Sequence, residues 1–273
     1  MKTHSVAGGG GVRLHVEEAG NPHGPPILFI HGFSQSRLCW NRQFTSFLAD
    51  GHRLVRIDIR GHGLSDKPDD VYGDSVAWAA DIAAVIDTLG LDRPILSGWS
   101  YGGVIICDYL RFNGTDGIGG VHLVGAVSRL GETVVPHLGE EFRDLVPGFY
   151  STDAEESAAA LARFMRIAVT AEPSPEDLCF FLGYNAIVPP RVRRGLFSRT
   201  LDNDDLLRTL STPVLISHGS EDAIVKPSMA AHHKALMPHA TLSMHHGIGH
   251  SPFFEDPDRF NRELAAFARA CRA

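Results

Sequence analysis

The sequence predicts an α/β protein built on a mostly parallel sheet with helices on both faces. Three observations carry that prediction. Short, largely apolar runs recur at residues 27–30 (ILFI), 54–57, 94–97, 120–124 and 214–217, as expected of strands buried on both sides. Helical stretches fall between these runs, so strand and helix alternate as parallel crossovers require. At Gly98-Trp99-Ser100-Tyr101-Gly102 a strand gives way to an apolar helix, and glycines at both ends of the pentapeptide permit a sharp turn between them.

The elements follow in order. A tetraglycine at 8–11 reads as a mobile turn, and residues 12–18 (VRLHVEE) alternate as a half-buried strand should. The strand at 27–30 is followed by a helix at 41–50, a strand at 54–57 and an amphipathic helix at 75–89, which Ser75 opens. The strand at 94–97, a helix at 103–110 (GVIICDYL) and a strand at 120–124 come next. From residue 128 to about 202 strand signals vanish, and helical stretches such as 154–169 dominate, broken by Pro147, Pro173, Pro175, Pro189 and Pro190. This segment reads as a helical cap inserted between two parts of one core domain, 1–127 and 203–273. Alternation then resumes with a strand at 214–217, a helix at 228–236, a strand at 241–245 and a final helix at 257–270. The expected sheet has about eight strands.

Composition narrows the function classes. The chain has 273 residues, 44% of them hydrophobic and 21% charged, which fits a globular domain with a substantial core. Its formal net charge of -7 and the lack of a Lys/Arg block argue against nucleic acid or an anionic membrane as partner. Cys39, Cys107, Cys179 and Cys271 lie far apart with no C-x-x-C pair, so neither a zinc site nor a disulfide scaffold is expected. The adjacent pairs His232/His233 and His245/His246 do not align on one face, and no metal is expected. The N-terminus lacks an apolar signal region, and no run of about 18 apolar residues occurs, so the expected location is cytoplasmic. Homo-oligomerisation stays open.

The pentapeptide suggests nucleophilic chemistry. A serine alcohol is a weak nucleophile at neutral pH, and an enzyme that uses one holds it exposed in a strained turn beside a base. Ser100 has that context. A histidine must take its proton and a carboxylate must hold the histidine in one tautomer. His250, just beyond the strand at 241–245, and Asp222, just beyond the strand at 214–217, sit where functional loops emerge from a parallel sheet. Glu221 is a close rival of Asp222. An oxyanion also needs backbone donors: the N–H of Phe33, which follows the buried strand ILFI, and the N–H of Tyr101, which opens the helix after Ser100.

These residues together resemble the α/β hydrolase superfamily, over nearly the whole chain. His31-Gly32-Phe33, GWSYG, Gly219-Ser220-Glu221-Asp222 and GIGHSPF occur in the family's order, and DIRGHGLS at 58–65 resembles the loop after its fourth strand. The order Ser, Asp, His is the one this fold uses. The resemblance favours Asp222 through the pattern G-x-x-D. It implies a serine hydrolase of esters or lactones without a cofactor, and it sets aside the branches that carry aspartate at the Ser100 position.

HGFSQSRLCW followed by DIRGHGLSDKP is similar to bacterial esterases, lactonases and cofactor-free perhydrolases. Trp40 matches a tryptophan of that group, and Ser34 stands where its perhydrolases carry proline. Ser34 and Trp40 are accordingly expected at the substrate, although large aromatics such as Trp40, Trp99 and the Phe33 and Tyr101 rings are more often packing residues. Asp58, Arg60 and His62 read as structural. Perhydrolysis, amide hydrolysis and carbon–carbon cleavage on the same triad remain as alternatives, as does a hydrolase-fold receptor with little turnover.

Overall fold

The computed structural model describes residues 1–272. Its strands are β1 (Lys2–Ala7), β2 (Arg13–Gly20), β3 (Pro26–Ile30), β4 (Arg53–Asp58), β5 (Ile95–Trp99), β6 (Gly120–Val124), β7 (Arg129–Leu130), β8 (Leu201–Asp202), β9 (Val214–Gly219) and β10 (Thr241–His245). Eight of them form one sheet in the order β1-β2-β4-β3-β5-β6-β9-β10. From β4 to β10 every neighbouring pair is parallel, while β2 pairs antiparallel with both β1 and β4. The expected eight-stranded, mostly parallel sheet is present.

Helices α1 (Asn41–Phe44), α2 (Leu48–Gly51), α3 (Ser75–Leu89) and α4 (Gly102–Asn113) lie in the first part of the chain. The segment between β7 and β8 holds α5 (Glu140–Phe149), α6 (Ala154–Ile167), α7 (Pro175–Ala186) and α8 (Pro190–Phe197). Helices α9 (Asp204–Thr209), α10 (Pro227–Leu236), α11 (Pro252–Glu255) and α12 (Pro257–Ala270) complete the fold.

Two cores flank the sheet because successive side chains on a strand point to opposite faces. In β3, Leu28 and Ile30 pack with residues of α3 and α4, whereas Ile27 and Phe29 pack with α1, α2, α11 and α12. Full burial of each such aliphatic side chain contributes roughly 1.5–3 kcal/mol. The two-residue pairing of β7 with β8, Arg129 opposite Asp202, pins together the ends of the helical segment. Prolines expected to interrupt that segment partly start helices instead. Pro175 and Pro190 occupy first-turn positions, where a missing N–H breaks no intrahelical bond.

Three expectations need correction. β1 has no counterpart in the sequence reading, because only Val6 of this edge strand is buried and it carries almost no hydrophobic pattern. The helix expected at 41–50 is instead two short helices. Thr45 Oγ1 and Ser46 Oγ donate back to the Asn41 and Gln43 carbonyls, and Leu48 N–H donates to Ser46 Oγ, which diverts the chain from continuous helix. The tetraglycine is a tight, anchored turn rather than a loose one. Gly9 N–H donates to Asp81 Oδ1 at 2.8 Å and its carbonyl accepts from Arg60, while a Cβ on Gly8 would lie 2.2 Å from Asp81 Oδ1. Among the described residues no helix is long and apolar enough to cross a membrane.

Candidate active site

β5 ends at Trp99 and α4 begins at Gly102, which leaves Ser100 in an elbow with φ of +54°. A non-glycine residue held there stores roughly 1–3 kcal/mol of strain, and the surroundings must impose it. They do so from two sides, because Ser100 N–H donates to the Val124 carbonyl and the Ser100 carbonyl accepts from Val127 N–H. The flanking glycines are required by contact distance. A Cβ on Gly98 would come 2.7 Å from the Gly102 carbonyl oxygen, and one on Gly102 would come 2.6 Å from that of Ile30.

The loop after β3 lies directly against this elbow. A Cβ on Gly32 would sit 2.9 Å from Ser100 Cβ and 3.0 Å from the Trp99 carbonyl oxygen. Two buried histidines hold the loop. His31 Nδ1–H donates to the Gly32 carbonyl and its Nε2 accepts from Ile59 N–H, while His62 Nδ1–H donates to the Arg60 carbonyl and its Nε2 accepts from Ser34 N–H. Each ring uses one nitrogen as donor and the other as acceptor, so both are neutral, and burial lowers both pKa values to about 3. The backbone N–H groups of Phe33 and Tyr101 donate to no protein acceptor among the described residues. Tyr101 is also the N-cap of α4, where the helix dipole favours an anion.

Asp222 and His250 meet across the ends of β9 and β10. His250 Nδ1 lies 2.8 Å from Asp222 Oδ2, and because an ionised carboxylate only accepts, Nδ1 carries the proton and Nε2 is left as an acceptor. The other oxygen, Oδ1, accepts from Ile224 and Val225 N–H at 2.9 Å each. His218 is a second histidine on the same carboxylate, 3.2 Å from Oδ2, with its Nε2–H donated mainly to the Val225 carbonyl at 2.7 Å. Burial opposes the charge on Asp222, but His250 and His218 together hold its carboxyl far below the usual carboxylate range. Glu221, the rival, is exposed and bonded to Ser220. His250 is tied to β5 as well: its carbonyl accepts from Trp99 Nε1–H, and its ring packs on the Trp99 indole at 5.4 Å.

A cavity of about 270 Å³ opens onto Ser100. Phe33, Tyr101, Val127, Val134 and Phe142 are among the residues that line it, and Arg143 stands at it as the one charged residue. Ser34 and Trp40, both expected at the substrate, do not line it. Ser34 is fully buried, and its Oγ accepts from Arg193 Nε at 2.9 Å; Arg193 also donates to the Asn185 carbonyl and so ties the helical segment to the loop. The Trp40 indole is buried on the other face of the sheet among Phe29, Phe253 and Phe260. Asp58 has its acceptor capacity filled by Arg37 and Leu64 N–H, and Arg60 pairs with Asp81, so both have structural contacts.

The sequence reading gave no side-chain role to His31 or His218 and did not name Arg193. For His218 a signal existed, since it stands at the end of a buried strand four residues before Asp222. For Arg193 there was none, because its partner Ser34 is 159 residues away. Among the described residues no cluster of three or more His, Cys, Asp or Glu side chains could hold a metal ion.

A strained serine elbow between a parallel strand and a helix, with a carboxylate-bound histidine supplied by the ends of β9 and β10, defines an α/β hydrolase. Residues 25–257 match the alpha/beta hydrolase fold family, and the chain belongs to it. It is similar to the crystal structure of the esterase RhEst1 from Rhodococcus sp. ECU1013, with 39% identity, a TM-score of 0.94, and coverage of 99% of this chain and 100% of that one. Among curated relatives, an AB hydrolase superfamily protein of Bacillus subtilis is 30% identical over 95% of this chain and 96% of its own length. A non-heme chloroperoxidase of Streptomyces lividans is 29% identical over 95% and 97%. The protein is thus an enzyme of the esterase and haloperoxidase group of this fold.

Proposed function

We propose that this enzyme is a serine hydrolase that cleaves small carboxylic esters or lactones through an acyl-enzyme. The observation that carries this reading is the Ser100 elbow at the mouth of an apolar cavity, with His250 packed on the neighbouring Trp99 and its Nδ1–H fixed by Asp222. His250 Nε2 takes the Ser100 proton as Oγ attacks the carbonyl carbon, and the Phe33 and Tyr101 N–H groups receive the developing oxyanion. His250 then returns the proton to the departing alkoxide. Water repeats the sequence on the acyl-enzyme and releases the acid. Asp222 keeps the imidazole in the productive tautomer and stabilises the imidazolium that forms twice per turnover.

The cavity bounds the substrate. At about 270 Å³ it lies just below the usual range for ligand sites, roughly 300–1,000 Å³, and its lining is almost wholly apolar. That supports a short or compact hydrocarbon acyl group rather than a long chain or a polar acid. Hydrolysis is favoured over perhydrolysis by the backbone at Ser34. Its φ is +58°, a conformation closed to proline, whose ring fixes φ near −65°. The loop in this protein therefore cannot have the backbone that a proline at this position would impose.

The test is Ser100→Ala with p-nitrophenyl butyrate, alongside labelling by a fluorophosphonate. The expected result is a loss of roughly 10⁴-fold or more in kcat and no labelling of the variant. Full turnover by Ser100→Ala would overturn the reading. Slow or absent labelling of the wild type would favour a binding protein on this fold instead.

A further inference from the structure

A second, much smaller cavity lies on the other side of the nucleophile strand. Its volume is about 20 Å³, and it is bordered by Gln35, Trp99, Met165, Phe181, Tyr184 and Ser251, among others. Gln35 belongs to the loop that carries Phe33, Trp99 precedes Ser100, and Ser251 follows His250. All three segments of the candidate site therefore meet at this one space. It shares Cys39, Phe181, Tyr184 and Phe254 with a groove of about 500 Å³ at the protein surface, which Leu38, Arg42 and Phe180 also border.

The walls of the small cavity carry an unmet polar demand. Gln35 is 1% exposed; its Nε2 points to Met165 Sδ at 3.6 Å, and its Oε1 is buried with no hydrogen-bond partner. An acceptor left unpaired in the interior is destabilising, and a bound donor relieves that cost. The Ser251 side chain makes no capping bond to α11, so its hydroxyl is available, and the Tyr184 side chain lines both this cavity and the groove. A water needs room for about one probe sphere, roughly 10–15 Å³, and two to four polar partners. A space of 20 Å³ meets that requirement for one water and is too small for an alcohol leaving group.

We propose that this cavity is the binding site of the water that deacylates the enzyme, supplied through the surface groove. The inference rests on the acyl-enzyme reading above. Its physical basis is that the acyl group fills the 270 Å³ cavity during deacylation, so the nucleophile must arrive from another side. Gln35 Oε1 accepts a hydrogen bond from the water O–H and so orders the molecule in this space, beside Trp99 and the His250 loop. From there the water moves to the acyl carbonyl, where His250 removes a proton as the new C–O bond forms, and Ser100 Oγ leaves with that proton.

The experiment measures how the acyl-enzyme partitions between two nucleophiles. Wild type, Gln35→Leu and Tyr184→Phe turn over p-nitrophenyl butyrate with a fixed concentration of added methanol, and the ratio of methyl butyrate to butyric acid is measured. That ratio is set after acylation, so a change in overall activity does not move it. Loss of one hydrogen bond to the water raises the ratio roughly five- to tenfold in Gln35→Leu and moves it in the same direction in Tyr184→Phe. An unchanged ratio in a variant that still turns over overturns the water site while the acyl-enzyme stands. No methyl butyrate and no Ser100 adduct in the wild type overturns the acyl-enzyme reading, and the water site with it.

Discussion

Gly32→Ala tests the proposed oxyanion loop most directly. Gly32 has no positive φ, so an alanine is not excluded by its backbone conformation, and the effect comes only from the added methyl. That methyl would lie 2.9 Å from Ser100 Cβ and 3.0 Å from the Trp99 carbonyl oxygen, against an ordinary contact floor of 3.4 Å. Relief requires 3.4 − 2.9, or about 0.5 Å, of separation between the loop and the elbow. The elbow is held by hydrogen bonds to Val124 and Val127, so the loop has to yield, carrying the Phe33 N–H with it. Oxyanion donors act at about 2.7–3.1 Å, so a retreat of that size removes Phe33 from useful range.

Loss of one such donor costs about 10²–10³ in rate, or roughly 2.7–4 kcal/mol of transition-state stabilisation. The interaction forms only in the transition state, so kcat and kcat/KM should fall together while KM stays within about threefold. Initial rates on p-nitrophenyl butyrate give both parameters, and circular dichroism melts report the fold. Gly73→Ala, where a Cβ meets open space and φ is ordinary, serves as the control. A Gly32→Ala enzyme with kcat within fivefold of wild type would refute the reasoning, as would a rise in KM at unchanged kcat.

Two further outcomes follow from the buried groups. Asp222→Asn keeps an acceptor for the Ile224 and Val225 N–H groups but lets His250 take the wrong tautomer, so kcat should drop by about 10⁴ with little loss of fold; a drop of less than tenfold, measured by initial rates, would remove Asp222 from its role. The second concerns stability in mild acid. His31, His62, His122 and His233 are fully buried and burial lowers each pKa from 6.5 to about 3, so they stay neutral in the folded state while the unfolded chain takes up protons below pH 6.5. Stability is therefore present above pH 6.5 and lost as pH falls from there toward 3, by roughly 1 kcal/mol per histidine at pH 5.5. His218, raised by Asp222, works in the opposite direction and offsets part of one. Thermal melts should show Tm falling between pH 7.5 and 5.5, before most carboxylates titrate; a flat Tm would contradict the burial argument.

The sequence by itself determined most of the sheet and the residues of the candidate site. Buried strands such as β3 and β5 announce themselves because both faces must be apolar, and the Ser100 elbow does so because only glycine fits at 98 and 102. Both are local constraints, written in consecutive residues. Residues whose signal is weak locally were not legible: β1 buries only Val6, and α1 and α2 are divided by side-chain hydrogen bonds to the backbone that no apolar period records. Contacts across long sequence separation were equally hidden. Tertiary structure alone kept Ser34 out of the apolar cavity and turned it onto Arg193, buried Trp40 on the far face of the sheet, added His218 to Asp222, and set Gln35 beside Ser251. The reason is common to all four: which side chain meets which is decided by how the helical segment and the strand ends pack, and packing joins residues that the chain keeps far apart.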